Sequence, residues 1–430
     1  MIVCCSTVMT ESLRRSPTLL LAVLALCAPV ACKEKRPADA QQPSVQRSSV
    51  ASVAAPAAST AKPIDASEAV RGADRPGPTP RPAPCLTTSN GQDAPVPDLL
   101  EQAAREFEKG RFEGALECAR EATRIDPQSV AAHHFRGAAL AELGRVDDAR
   151  TAYARALVLD PDDPEVLRSA ADLHVRRLGA RDDLELALAY VQRGLVRAHK
   201  LKDRAVLKEL YLLQAMAHDD LGRPGDALVA ANHALDYDMH DREARREKGV
   251  ALFELCRFAE AKTELSKLAA DEPDAWAEHY LGLIAERSHE DAVAAQHFAT
   301  AQRLDPEAFR PSPAPTVSAF ASVVQEEVSK LPREVREGLA QSKFAVIDLP
   351  DQSDLTATDP PLSPGILGLF RPPPEGAPAT DKPAIFLYRR NLARAAHNDD
   401  ELRREVRDTL LHEVGHLNGE DDDQLRDRGL

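Results

Sequence analysis

Apolar residues recur once per helical turn in two stretches toward the C-terminal end of the chain. Over Val317 to Lys330 they are Phe320, Val323, Val324 and Val328; over Glu401 to Leu411 they are Leu402, Val406 and Leu410. Spacings of three and four residues put each set on one helical face. Pro332 to Leu339 predicts another helix, opened by a proline that suits the first turn. Three short apolar runs lie between these helices, at Phe344 to Leu349, Ile366 to Phe370 and Ala384 to Tyr388. Their length and their polar, proline-bearing flanks predict buried strands. Residues 316–430 therefore read as a small α+β unit, set off by the proline linker Arg310 to Pro315.

Upstream, from Asp98 to Phe309, the pattern has a period of 34 residues. Asp-Pro recurs at Asp126-Pro127, Asp160-Pro161 and Asp305-Pro306, with Glu272-Pro273 as a variant. Small residues and single aromatics keep step with it, most cleanly as Gly137, Gly144, Ala149, Tyr153, Ala156 and Pro161. Another copy shows Gly282, Ala294, Phe298, Ala301 and Pro306; the third copy is stretched around Arg177 to Leu186. This pattern resembles the tetratricopeptide repeat family. The resemblance implies about six helix–turn–helix units stacked as an all-α solenoid over residues 97–310, with a groove for a protein or peptide partner. The aromatics at helical spacing and the pair His133-His134 read as packing or surface residues, not as sites.

The C-terminal helix runs into His412-Glu413-Val414-Gly415-His416, an HExxH pattern. One turn apart, His412 and His416 share a face and reach one Zn²⁺, and Glu413 between them is placed to take a proton from a water. Gly419 then predicts the helix end. Eleven residues follow Gly419, none of them His, and no Met follows Met239. A third ligand on a separate downstream helix has no room, and a Met-turn is absent. Ten residues after His412 stands Asp422, with Asp421 and Asp423 as near alternatives and His397 as a remote one.

The order of segments carries a second resemblance. Leu331-Pro332 closes the first helix of the unit; Asp348-Leu349-Pro350 follows a strand; Gly365 to Phe370 and Ile385 to Leu392 come next; then Thr409 to Glu413 and Asp422 to Leu425. Together they resemble the bacterial minimal zincins, the zincin-like metallopeptidases with HExxHxxGxxD. That likeness implies His412, His416 and Asp422 as zinc ligands and Glu413 as general base of peptide hydrolysis. Tyr388, Arg389 and Arg390, at a strand end, are candidate donors to substrate or to the developing oxyanion. The expected fold is multidomain, an all-α tetratricopeptide-repeat solenoid followed by a small α+β zincin-like domain.

Composition adds limits. The net charge of −15 argues against a nucleic-acid partner. Arg14 and Arg15 before the short apolar run Leu19 to Ala31 predict an export signal over residues 1–32, too short for a membrane span. Val30-Ala31-Cys32 resembles a bacterial lipoprotein signal, which implies lipidation at Cys32 and contact with a membrane through that anchor only. Residues 33–96, rich in Ala, Pro and Ser, predict a disordered tether. Cys85, Cys118 and Cys256 show no CxxC and no disulfide framework, and the last two are expected to fill packing positions. The chain thus reads as an exported zinc-dependent metallopeptidase, facing the periplasm or the cell exterior, whose repeats hold a partner or substrate. The alternative is a binding lipoprotein whose zincin domain holds metal without turning over.

Overall fold

The computed structural model describes Cys85, residues 94–373, Gly376, Pro378 and residues 381–429. The expected signal, Cys32 and most of the expected tether lie outside the described residues. Twelve helices come first, paired by short turns into six hairpins: α1 Val96–Glu108 with α2 Phe112–Ile125, α3 Val130–Glu142 with α4 Val146–Leu159, and α5 Pro164–Leu173 with α6 Arg181–Leu201. The series continues with α7 Arg204–Asp220 and α8 Pro224–Tyr237, α9 Arg242–Glu254 and α10 Phe258–Asp271, and α11 Ala275–Arg287 and α12 Asp291–Leu304.

The periodic aspartates explain the turns between hairpins. Asp126, Asp160, Asp238 and Asp305 each follow a helix and accept the backbone N–H two residues on, at 3.0, 3.1, 3.0 and 3.2 Å. This Asx turn reverses the chain with or without the proline. The next helix then starts on a side-chain cap. Asp241 and Asp274, for example, accept from Ala244 and Ala277 at 2.8 and 2.9 Å. The stretch in the third copy has a local cause. The end of α5 widens into a π-helical turn, His174–Leu178, and Gly179 (φ 72°) reverses the chain into the 21-residue α6. His133 and His134 are used locally, through Pro127 O at 3.1 Å and Ser169 Oγ at 2.9 Å.

Residues 317–429 add α13 Val317–Lys330, α14 Arg333–Gln341, β1 Lys343–Ile347, α15 Gln352–Leu355, β2 Gly368–Arg371, β3 Ala384–Tyr388, α16 Arg389–Ala395, α17 Asp399–Leu417 and α18 Asp422–Asp427. The three strands form one sheet in the order β1-β3-β2, β1 parallel to β3 and β2 antiparallel to it. Register pairs Val346 with Leu387 and Leu369 with Phe386. The core under this sheet joins Phe320 and Val324 of α13, Ile385 and Leu387 of β3, and Leu402, Val406, Leu410 and Val414 of α17. The period read from the sequence is therefore the buried face of α17. Its start is set by Asn398, whose side chain accepts Glu401 N–H at 2.9 Å while Glu401 accepts Asn398 Nδ2 at 2.7 Å. Among the described residues no helix is long and apolar enough to cross a membrane.

Two expectations need correction, one for the cysteines and one for the tether. Cys85 and Cys118 form a disulfide across a separation of 33 residues, so Cys118 is a cross-link as well as a buried packing residue. Ala94 is also buried, with Leu99, Ala122 and Ala132, so the last part of the expected tether is fastened to the first repeats. Only Cys256 stays a free, buried packing residue among the described cysteines. The pairing was illegible because a cross-link over that distance leaves no local spacing signal. Cys118→Ser is expected to destabilise the first repeats by about 2–4 kcal/mol. Chemical denaturation with and without reductant measures this, and the variant should lose the sensitivity to reductant.

Candidate metal centre

Near its C-terminal end α17 is buried also on a second face, about 100° round from Leu402, Val406 and Leu410, and this face carries the histidines. His412 is 3% exposed, Glu413 0% and His416 5%. After Leu417 the helix closes in a Schellman motif: Gly419 N–H donates to His416 O and Glu420 N–H to Gly415 O, both at 3.0 Å, with Gly419 at φ 89°. The reversal that the glycine predicted brings the tail back along the helix. Leu425, fully buried, then lies where a β-carbon on Gly415 would stand. Glycine inside HExxH thus lets the tail dock.

That docking delivers Asp422. Its Oδ1 lies 3.4 Å from Nε2 of His412 and 3.4 Å from Nε2 of His416. The three ligand atoms all fall within 4.8 Å of one another. A tetrahedral Zn²⁺ with bonds of about 2.0–2.1 Å separates its ligand atoms by roughly 3.3 Å, so the donor set fits that ion. His416 Nδ1 meets Glu420 O at 2.9 Å, which fixes the proton on Nδ1 and turns Nε2 toward Asp422. Asp421 and Asp422 are also told apart. Asp421 caps α18, accepting Gln424 N–H at 2.9 Å, and is thereby committed elsewhere. His397 is exposed at the start of α17, about 22 Å from His412 by helical rise, and takes no part.

Glu413 lies under the edge strand β2. A β-carbon on Gly368 would stand 2.7 Å from Glu413 Oε1 and 2.7 Å from Thr409 Cγ2, so a side chain at 368 and Glu413 cannot share this space. Tyr388 N–H donates to Leu367 O at 2.9 Å. By the alternation of an antiparallel ladder, the N–H and C=O groups of Gly368 and Phe370 then face away from β3, and of these the Phe370 N–H is taken by the Glu413 carboxyl. Burial pushes the Glu413 carboxyl well above the usual carboxylate range; the Phe370 N–H pulls it back and the Asp422 charge raises it further.

The three candidate donors at the end of β3 have other roles. Tyr388 is wholly buried in a cluster with Cys256, Leu355, Ile366 and Leu369. Arg389 pairs with Asp348 at 2.7 Å and donates to Pro315 O at 2.9 Å. Arg390 binds Glu286 and Asp291 of the last hairpin, at 2.9 and 2.8 Å. All three are thus engaged by protein groups at the domain junction or the linker beside it. Sequence reasoning missed Gly368, Gly415 and Asn391, whose roles depend on partners brought close only by the fold.

Comparison with known proteins agrees with this layout. Residues 339–430 match the family described as zincin-like metallopeptidase, and residues 100–164 and 220–286 match tetratricopeptide repeat families. The chain therefore carries tetratricopeptide repeats followed by a zincin-like metallopeptidase domain. One curated relative, Protein CTR9 homolog of Arabidopsis thaliana, is 42% identical over 73 residues, which are 17% of this chain and 7% of that protein. The chain thus spans a small fraction of that relative. Solved structures with similar helical arrays include PilF of Pseudomonas aeruginosa, 16% identical, TM-score 0.42, covering 49% of this chain and 92% of that one. The pilus biogenesis factor PilW is 17% identical, TM-score 0.43, covering 49% and 94%.

Two outcomes follow from the geometry. Asp422→Asn should weaken zinc binding by more than about 100-fold, since even an outer-shell loss costs tenfold or more. Asp421→Asn should leave the ligand set in place, and competition against a chelator separates the two. Gly368→Ala should retain zinc while displacing Glu413, lowering any peptidase turnover by about 100-fold.

Proposed function

We propose that the chain is an exported zinc-dependent metallopeptidase whose repeat domain binds a protein or peptide partner. The observation that carries this reading is the meeting of His412, His416 and Asp422 beside the buried Glu413, inside the zincin-like match. Bound Zn²⁺ would supply a Lewis acid for the scissile carbonyl and a charge that draws protons off its surroundings. His412, His416 and Asp422 would hold it, with His416 oriented by Glu420 O.

Glu413 is the proton carrier. It accepts a proton from the attacking water and returns it to the leaving amine. Its place against Gly368 sets it directly beside the strand that a substrate would join. The outward N–H of Gly368 and the outward C=O groups of Gly368 and Phe370 can pair with an extended peptide, while the Phe370 N–H is held by Glu413; such pairing would lay the scissile bond across the end of α17. The same burial excludes bulk water from Glu413.

The Cys85–Cys118 disulfide supports export, because such bonds persist in oxidising compartments. Together with the expected signal and Cys32 it favours a lipid-anchored protein facing the periplasm or cell exterior. A second reading is a metal-binding domain without turnover. It is favoured by the complete burial of Glu413, which leaves a substrate no direct approach unless β2 or the tail yields. A broad peptide-library digest of zinc-loaded protein decides between them. Cleavage by wild type, with Glu413→Gln retaining zinc and losing about 10²–10⁴-fold in rate, is the expected result. Stoichiometric zinc with no cleaved peptide would overturn the peptidase reading in favour of the second.

A further inference from the structure

The junction between the last repeat hairpin and the zincin-like domain contains a chain of buried polar contacts. It starts at Glu286, one residue before the end of α11 and 7% exposed. Its Oε1 accepts Arg390 Nη1 at 2.9 Å and its Oε2 accepts Arg394 Nη1 at 2.7 Å. Arg394 Nη2 donates in turn to Asn391 Oδ1 at 2.8 Å. Asn391 is 2% exposed. Its Nδ2 donates to Pro364 O at 2.9 Å and to Ile366 O at 2.7 Å. Two residues after Ile366, Gly368 opens β2 against Glu413.

Donors and acceptors match at every link. The Asn391 amide offers two N–H groups and uses them on two carbonyls, so its oxygen must face the guanidinium. If the amide turned over, its N–H groups would meet Arg394 donor to donor. Arg394 therefore selects the orientation of Asn391 that grips the 364–366 turn. Arg394 is itself placed by Glu286, with which it forms an ion pair at 2.7 Å. Asp291 offers a contrast: it also binds Arg390, is 65% exposed, and has no part in this chain.

We propose that Glu286 is a positioning residue of the metallopeptidase site, acting through Arg394 and Asn391 on the turn that sets Gly368 against Glu413. The repeat array is then a built-in part of the site and not a detachable docking module. The catalytic consequence rests on the peptidase reading above; the structural consequence rests on the contacts alone.

Hydrogen exchange on the zinc-loaded full chain tests both. The variants are Glu286→Gln, Asn391→Asp, their double, and Asp291→Asn as the junction control. Asn391→Asp removes the donor to Pro364 O and Ile366 O while keeping an acceptor for Arg394. Glu286→Gln, which loses a charge-assisted hydrogen bond, and Asn391→Asp, which loses two amide donations to carbonyls, should each speed exchange over residues 362–371 by about tenfold or more. The double should add little to the larger single effect. Asp291→Asn should leave that segment unchanged, and zinc content should hold throughout. With a cleavable peptide, kcat should fall in Glu286→Gln while KM stays. Additive effects, or a Glu286→Gln that behaves like Asp291→Asn, would sink the proposal. If Glu286→Gln also loosens α11 and α12, Arg394→Lys, which keeps the charge but cannot bridge both partners, is judged by the same segment. A wild type that cleaves nothing removes the peptidase reading, and the exchange result still decides the linkage.

Discussion

The close approach of α17 to β2 is the constraint on which the C-terminal domain depends. Glu413 occupies the space where a side chain on residue 368 would project, and it is completely buried there. A carboxyl out of water is costly, and only tight support keeps it in one place. The support comes from both sides of the helix. Leu402, Val406, Leu410 and Val414 fix α17 onto the sheet and α13. On the far side Leu425 packs into the gap left at Gly415 and holds the returning tail. Two missing β-carbons thus set two spacings, strand to Glu413 and tail to histidines. The candidate metal centre is where those spacings meet.

Much of this could be read from the chain, because it is written in local periods. The helical period of Leu402, Val406 and Leu410 is the buried face of α17, and the spacing of His412 and His416 follows from the same geometry. The tail could be narrowed to an aspartate by counting residues. Choosing Asp422 over Asp421 needed the fold, since the difference is that Asp421 is spent as the cap of α18. Gly368 read only as part of an apolar strand; nothing local shows that a carboxylate 45 positions later needs its space. The contacts of Tyr388, Arg389 and Arg390 were out of reach of the sequence for a related reason. Their site is real but belongs to the domain junction, and Glu286 lies about a hundred residues upstream of Arg390.

The junction differs in kind from the cores it connects. One part is apolar, with Cys256 of the repeats against Leu355, Ile366 and Tyr388. The rest is ionic and directional. Glu286 meets two arginines, and Arg287 lies over Phe258 and donates to Pro350 O at 2.9 Å. Buried ion pairs contribute little net stability, because desolvation offsets most of the attraction. They do penalise wrong arrangements heavily, since any shift leaves a charge without its partner. Such a junction specifies one orientation between the repeats and the site more than it strengthens their union.

That orientation bears on what a repeat domain can contribute to hydrolysis. A domain on a flexible linker raises the local concentration of whatever it binds, by an amount set by linker length. Here the linker itself is pinned, with Arg389 donating to Pro315 O, and the last hairpin contacts the α16 segment directly. The array and α17 therefore belong to one compact body. A ligand seated on the repeats would stand at a set distance and direction from Glu413, not within a diffuse volume around it. Selection would then act on where along a bound chain the site falls, a geometric criterion that β2, too short to read many residues, could not supply by itself.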